Sequence, residues 1–145
     1  VIVRPTNIYG PRDYFDETAH VIPALIRKFT DGRDSINVFG GTQKREFLYV
    51  EDAARGMMAV AERGKSGEAY NLGTGGETQV TIAQLANFIH KMTGEHGQIT
   101  WIEGAQTGDQ SRSTDVNKVR ALGWRHQVDL LEGLNRTVDW WLAQQ

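Results

Sequence analysis

Val1-Ile2-Val3-Arg4-Pro5-Thr6-Asn7-Ile8-Tyr9-Gly10-Pro11-Arg12 opens the chain and sets the architecture of the remainder. Val1 to Val3 is β-branched throughout and reads as a buried strand that begins at once. Pro5, Gly10 and Pro11 then fix or free the backbone, so that Arg4 to Arg12 is expected to be a long loop. A chain that starts inside a strand is expected to be a piece of a longer protein.

Outward from this stretch, strands and helices alternate. Val21, Ala24, Leu25 and Phe29 fall at helical spacing over His20 to Phe29, with Pro23 tolerable in the first turn and Asp31-Gly32 closing the helix. Ile36 to Phe39 and Phe47 to Val50 read as short strands separated by Gly40-Gly41-Thr42. Glu51-Asp52 precede a helix expected to turn Ala54, Met57, Met58 and Ala61 to one face, with Gly64 as its stop. Asp52 is read as structural, a carboxylate serving the first amides of that helix. Tyr70-Asn71-Leu72 is a strand running into Gly73 to Gly76. Thr81 and Gln84 form a capping box ahead of Ile82, Leu85, Ala86 and Ile89. Ile99 to Ile102 is a further strand, Asp115 caps a short helix ended by Gly123, and Asp129 with Glu132 opens a final helix carrying Leu130, Leu134, Val138 and Trp141. This order argues for an α/β fold.

The 145 residues suffice for one domain with a real core, and hydrophobic residues at 39% with charged residues at 23% keep the chain away from disorder. A net charge of −2 with mixed signs leaves no basic stripe, so no nucleic-acid partner is expected. Without cysteine there are no disulfides or thiolate metal sites. His90, His96 and His126 lack ligand spacing with carboxylates, so no metal site is expected. No run of ~20 apolar residues exists, so no membrane span is expected. The cytoplasm is the expected compartment.

Four separated stretches carry a further signal. Arg4 to Arg12, Arg45-Glu46-Phe47-Leu48-Tyr49-Val50-Glu51-Asp52, Tyr70-Asn71-Leu72-Gly73 and Leu122-Gly123-Trp124 resemble, in order and spacing, the C-terminal half of the extended short-chain dehydrogenase/reductase family, which acts on nucleoside-diphosphate sugars. The resemblance covers essentially residues 1–145. It implies the last strands of a Rossmann-type parallel sheet plus a small mixed α/β substrate-binding domain, with the N-terminal half that holds NAD or NADP missing. A homodimer is a further expectation. Within the family, Asp13-Tyr14-Phe15 and His20-Val21-Ile22-Pro23-Ala24-Leu25-Ile26-Arg27 most resemble GDP-fucose synthases. Gln106-Thr107-Gly108-Asp109-Gln110-Ser111-Arg112 looks more like UDP-sugar epimerases and dTDP-glucose dehydratases, with Gln106 where a basic residue is usual.

The family also needs a glycine-rich cofactor turn and a Tyr-x-x-x-Lys pair that moves protons beside the nicotinamide. Neither is in this chain, since Tyr9, Tyr14, Tyr49 and Tyr70 have no lysine four positions on.

For the site, the resemblance implies that Pro5, Thr6, Asn7 and Ile8 wall the nicotinamide pocket and that Asn7 contacts substrate. Read by itself, Asn7 also suits a turn-forming role. His20 is the candidate acid/base or cofactor contact, because an imidazole changes charge near neutral pH; the alternative is a helix cap or a surface residue. Arg45, expected to share a strand face with Phe47 and Tyr49, is the candidate diphosphate ligand through its planar fork. Arg112 is a second cation for the same group. Val38 and Phe39 match the strand beside the base, whose backbone groups would read base edges while an aromatic ring packs on the base. Lys28 is another basic substrate contact, unless it is simply a solvated charge. Trp140, Trp141 and Met57 are read as packing. Together these residues read as the nucleotide-sugar part of an NAD(P)-dependent epimerase, dehydratase or reductase; the alternative is a non-catalytic remnant serving as a nucleotide-binding or oligomerisation module.

Overall fold

A computed structural model describes residues 1–102 and 109–145. In chain order it contains β1 (Ile2–Pro5), β2 (Asn7–Tyr9), α1 (Val21–Thr30), β3 (Ser35–Phe39), β4 (Lys44–Arg45), β5 (Phe47–Tyr49), α2 (Val50–Arg63), β6 (Ala69–Leu72), β7 (Val80–Thr81), α3 (Ile82–Met92), β8 (Gln98–Ile102), α4 (Asn117–Arg120) and α5 (Leu130–Leu142). The architecture is α/β, as the alternation implies. Every expected element is present, but β4 and β7 are not among those expected. The first strand is not the buried one expected, with Val1 and Ile2 53% and 54% exposed. Two bounds also differ. The stretch Arg4 to Arg12 is not one loop: β1 continues to Pro5 and β2 follows after Thr6. Ile8 and Tyr9 have strand character that the surrounding Pro and Gly masked. Val50 starts α2 instead of ending β5.

Pairing is mostly parallel and long-range. β1 pairs with β6 (Val3 opposite Tyr70), β2 with β5 (Ile8 opposite Leu48) and β3 with β8 (Val38 opposite Trp101). β4 and β7 are antiparallel, with Arg45 opposite Val80. Parallel partners need crossovers, which explains why the two strands flanking Gly40-Gly41 do not pair with each other.

The β2–β5 pair is a partition. Successive side chains leave a strand on opposite faces, so Phe47, Tyr49 and Tyr9 enter one core with α1, α3 and α5 (Ile26, Phe29, Leu85, Ile89, Leu134). Leu48 and Ile8 enter a second with Val60, Tyr70, Leu72, Val119 and Trp124. Thr81 and Gln84 close the expected capping box on α3, and Asp129 accepts the Glu132 amide at the start of α5. Trp141 packs as expected, its ring stacked on Phe15 at 4.3 Å and its indole N–H donated to Thr30 Oγ1 at 2.9 Å.

α2 corrects the expected face. Its buried residues are Asp52, Ala53, Gly56, Ala59 and Val60, whereas Ala54, Met57, Met58 and Ala61 lie outside, Met58 at 62% exposure. Met57 is therefore not a packing residue. The four expected residues do form a helical stripe, but a neighbouring stripe of smaller side chains fits the close approach to Leu72 and Trp124, where a Cβ on Gly56 would lie 2.9 Å from Leu72 Cδ2. Asp52 is fully buried, and it serves not the first amides of its own helix but the Gln127 and Val128 amides, both at 2.9 Å, while pairing with the Arg55 guanidinium one turn on at 2.6 Å. No helix among the described residues is long and apolar enough to cross a membrane.

Gly133, inside α5, marks where α5 rides over the partition. A Cβ there would collide with the hydroxyl of buried Tyr9 and lie 2.9 Å from its Cζ. Alanine would gain about 1 kcal/mol of helix propensity but overpack the core at a cost of about 1–3 kcal/mol. It would also strain the Tyr9 O–H bond to the Leu130 carbonyl, worth about 1 kcal/mol. Gly133→Ala is thus expected to lose about 2 kcal/mol in thermal unfolding, and Tyr9→Phe in the same chain to recover part of the loss. A raised midpoint for Gly133→Ala would contradict this packing.

Candidate functional site

Two clefts meet at Thr6 and Asn7. The larger, of about 840 Å³, runs from β2 and the following loop past the start of α1 to the end of β3 and to β4, within the usual size of small-molecule sites. Its walls include Asn7, Ile8, Arg12, His20, Phe39 and Arg45. The smaller, about 640 Å³, lies between Pro5-Thr6-Asn7 and Ser111 to Thr114, with Arg112 on its wall.

Asn7 lies on β2 and not in a turn. Its amide nitrogen donates to the Glu46 carbonyl at 2.9 Å. A carbonyl only accepts, so this bond fixes the amide orientation and directs Oδ1 away from Glu46 as an acceptor. Thr6 Oγ1 reaches the same carbonyl at 3.4 Å. His20 is the N-cap residue of α1, but its side chain makes no cap bond; it is exposed on the wall of the larger cleft. The side chain therefore does not cap the helix, and its exposed place on the cleft wall fits a surface residue as well as a ligand contact.

Arg45 reaches the cleft from β4, separate from β5. Its Nη1 donates to the carbonyls of Lys44 at 2.8 Å and Asp109 at 2.7 Å. The expected shared face with Phe47 and Tyr49 is only partly realised: Phe47 and Arg45 both border the cleft, while Phe47 and Tyr49 are buried in the first core. Val38 also turns into that core, so its side chain is withdrawn from any ligand. Phe39, next along the pleat, is 58% exposed and borders the cleft.

Lys28 and Arg112 are not on the larger cleft's wall. Lys28 donates to the Asn37 carbonyl at 3.1 Å and sits over the Phe39 ring, 5.8 Å from its centroid. Arg112 pairs through Nε with Asp109 Oδ2 at 2.7 Å. Of the epimerase-like segment, Gln106-Thr107-Gly108 lies outside the described residues.

Sequence reasoning missed three contributors. Arg12 borders the cleft with φ of 69°, a left-handed conformation uncommon outside glycine. The sequence signal was its place after Gly10-Pro11, where the chain must turn. Tyr9 borders the cleft, yet burial pushes its phenol well above the ordinary tyrosine range, with Tyr49 and nearby carboxylates adding to the effect. It stays neutral and is no proton acceptor. Glu46 is 1% exposed. Its Oε1 accepts the Thr74 amide, the Gly75 amide and the Thr74 hydroxyl, and its Oε2 accepts the Thr114 amide at 2.8 Å. One carboxylate thereby joins the strand under Asn7, the glycine loop and the segment beside Arg112. Gly73 permits this, because a Cβ there would meet Glu46 and come 2.9 Å from Thr114 Cβ.

The NAD dependent epimerase/dehydratase family matches residues 1–73. GDP-L-fucose synthase 1 of Arabidopsis thaliana is 38% identical over 144 residues, covering 95% of this chain and 44% of that protein. A crystal structure of UDP-glucose 4-epimerase with UDP-glucose from Thermotoga maritima superposes at a TM-score of 0.88 with 28% identity, over 98% of this chain and 45% of that one. MoeE5 in complex with UDP-glucose and NAD gives 0.82 and 29%, over 98% and 46%. The chain thus spans less than half the length of these relatives.

Proposed function

The chain belongs to the NAD dependent epimerase/dehydratase family, and we propose that it supplies the nucleotide-sugar site of an NAD- or NADP-dependent epimerase, dehydratase or reductase. A GDP-4-keto-6-deoxymannose epimerase-reductase or a UDP-sugar 4-epimerase is the form of parent enzyme we favour. The observation that carries this reading is the gathering of Asn7, His20, Phe39 and Arg45 on one cleft, although they lie on separate elements. Similarity to proteins solved with UDP-glucose, one of them also with NAD, supports the same ligand class.

Side-chain chemistry assigns the roles. The guanidinium of Arg45 holds the diphosphate by charge-assisted bonds. Phe39, with Lys28 over its ring, packs on the base. Asn7 Oδ1, oriented by the Glu46 carbonyl, accepts from a sugar hydroxyl. The His20 imidazole delivers or removes a proton at a sugar carbon beside a carbonyl. A nicotinamide bound next to Thr6 and Asn7, where the two clefts meet, would supply hydride exchange with the sugar ring. The rest of its site, together with the tyrosine acid/base, belongs to an N-terminal half supplied by the parent protein. Tyr9 does not substitute for that tyrosine, because its hydroxyl is committed to the Leu130 carbonyl.

Isothermal titration of the chain with GDP and UDP tests this directly. Binding is expected for one of them, with Arg45→Ala weakening it by about tenfold or more, as loss of a charge-assisted pair implies. Absence of binding to both, or binding indifferent to Arg45→Ala, would refute the nucleotide-sugar reading and leave a remnant or oligomerisation module.

A further inference from the structure

Asp109 touches both candidate diphosphate cations although they border different clefts. Its backbone carbonyl accepts from Arg45 Nη1 at 2.7 Å, and its carboxylate accepts from Arg112 Nε at 2.7 Å. Engagement is through Nε alone, so among the described residues the two terminal nitrogens of Arg112, on the wall of the smaller cleft, remain as donors. The pair is exposed, with side chains at 67% and 65%, and exposed ion pairs contribute roughly 0–1 kcal/mol to stability. Fold stability therefore does not account for it.

The segment that carries Asp109 is seated without its carboxylate. Lys44 N–H donates to the Gln110 carbonyl at 2.8 Å, and the Gln79 amide donates to Ser111 Oγ at 3.1 Å and the Arg112 carbonyl at 2.8 Å. Glu46 holds Thr114. The strap is thus pinned to β4, to the residue before β7 and to the buried carboxylate at several points. Among the described residues the Asp109 side chain has one partner, the Arg112 guanidinium.

We propose that Asp109 is a positioning residue, its carbonyl ordering Arg45 and its carboxylate ordering Arg112 for the diphosphate the two cations share, and that this ordering favours a diphosphate over a monophosphate. The inference rests on the nucleotide-sugar reading above. Ordering a long, flexible arginine before the ligand arrives removes part of the entropy otherwise lost on binding, of about 0.5–1.5 kcal/mol per side chain. A monophosphate spans one cation and gains little from the second.

Binding of GDP and GMP, and of UDP and UMP, to wild type, Asp109→Ala, Asp109→Asn and Arg112→Ala tests it. Asp109→Ala removes only the carboxylate arm. It is expected to weaken the diphosphate by about three- to fivefold, the most that pre-ordering by an exposed pair can supply, to leave the monophosphate unchanged, and to leave the unfolding midpoint unchanged. Asp109→Asn, whose amide oxygen still accepts from Nε, restores most of the loss. Asp109→Ala adds nothing in the Arg112→Ala background. Equal or tighter diphosphate binding by Asp109→Ala, with Arg45→Ala still disruptive, overturns the positioning role alone and makes the carboxylate a competitor of the ligand. Diphosphate binding insensitive to Arg45→Ala overturns the underlying reading as well.

Discussion

Replacing Glu46 with leucine is expected to cost the chain about 3 kcal/mol, since the buried Thr74 amide and hydroxyl lose their acceptor, at about 1–3 kcal/mol for an orphaned buried donor, while the less buried Gly75 and Thr114 amides each lose a hydrogen bond that water partly replaces. The Thr74, Gly75 and Thr114 amides all point at this one carboxylate, and removing a charge from the interior recovers only part of their loss. Glutamine is no substitute. Its NH₂ group must face either the Thr74–Gly75 pair or Thr114, so one donor meets another, and Glu46→Gln falls between wild type and Glu46→Leu. Urea unfolding followed by circular dichroism measures both. The same variants should weaken nucleotide binding, because β4 and the strap meet at this residue. Glu46→Leu within about 1 kcal/mol of wild type would show that the glycine loop finds other acceptors.

Asp52→Ala is the second large effect, at about 3 kcal/mol, the lower end of the range for removing one partner from a buried charged pair. Asp52 is wholly buried, and its two oxygens hold the entry to α5 through Gln127 and Val128 while pairing with half-exposed Arg55. Arg55 can turn to water, but the Val128 amide cannot. Amide hydrogen exchange therefore separates a local from a global effect: the Gln127 and Val128 amides are expected to lose protection first, ahead of the amides of α1 and α3. Protection retained at both in Asp52→Ala would contradict the anchoring role.

The candidate site is partly legible in the amino-acid sequence. Asn7, His20, Phe39 and Arg45 are identifiable because each sits in a short motif whose residue types suit ligand chemistry, and all four do border one cleft. Val38, Lys28 and Arg112 are placed by the same motifs, but a motif does not state which way a side chain turns. Val38 faces the core, Lys28 sits over Phe39, and Arg112 belongs to the smaller cleft. Glu46 is hidden inside one of those motifs. A glutamate between Arg45 and Phe47 reads as a surface charge until Thr74 and Thr114, the latter 68 positions away, are brought against it.

By itself, the sequence determined what depends on near neighbours: the helical periods of α1, α3 and α5, the Thr81–Gln84 and Asp129 caps, the alternation of Phe47, Leu48 and Tyr49, and the motif order that marks the family. These are set within a few residues by backbone geometry and side-chain spacing. Tertiary structure alone decided which strands pair, which of two apolar stripes of α2 is buried, and where the buried carboxylates of Glu46 and Asp52 find their amides. Each of those outcomes depends on the shape and polarity of a surface contributed from far along the chain. The small-residue stripe of α2 won over its methionines because only Ala53, Gly56 and Ala59 let Leu72 and Trp124 approach, a fact of packing that no local window contains.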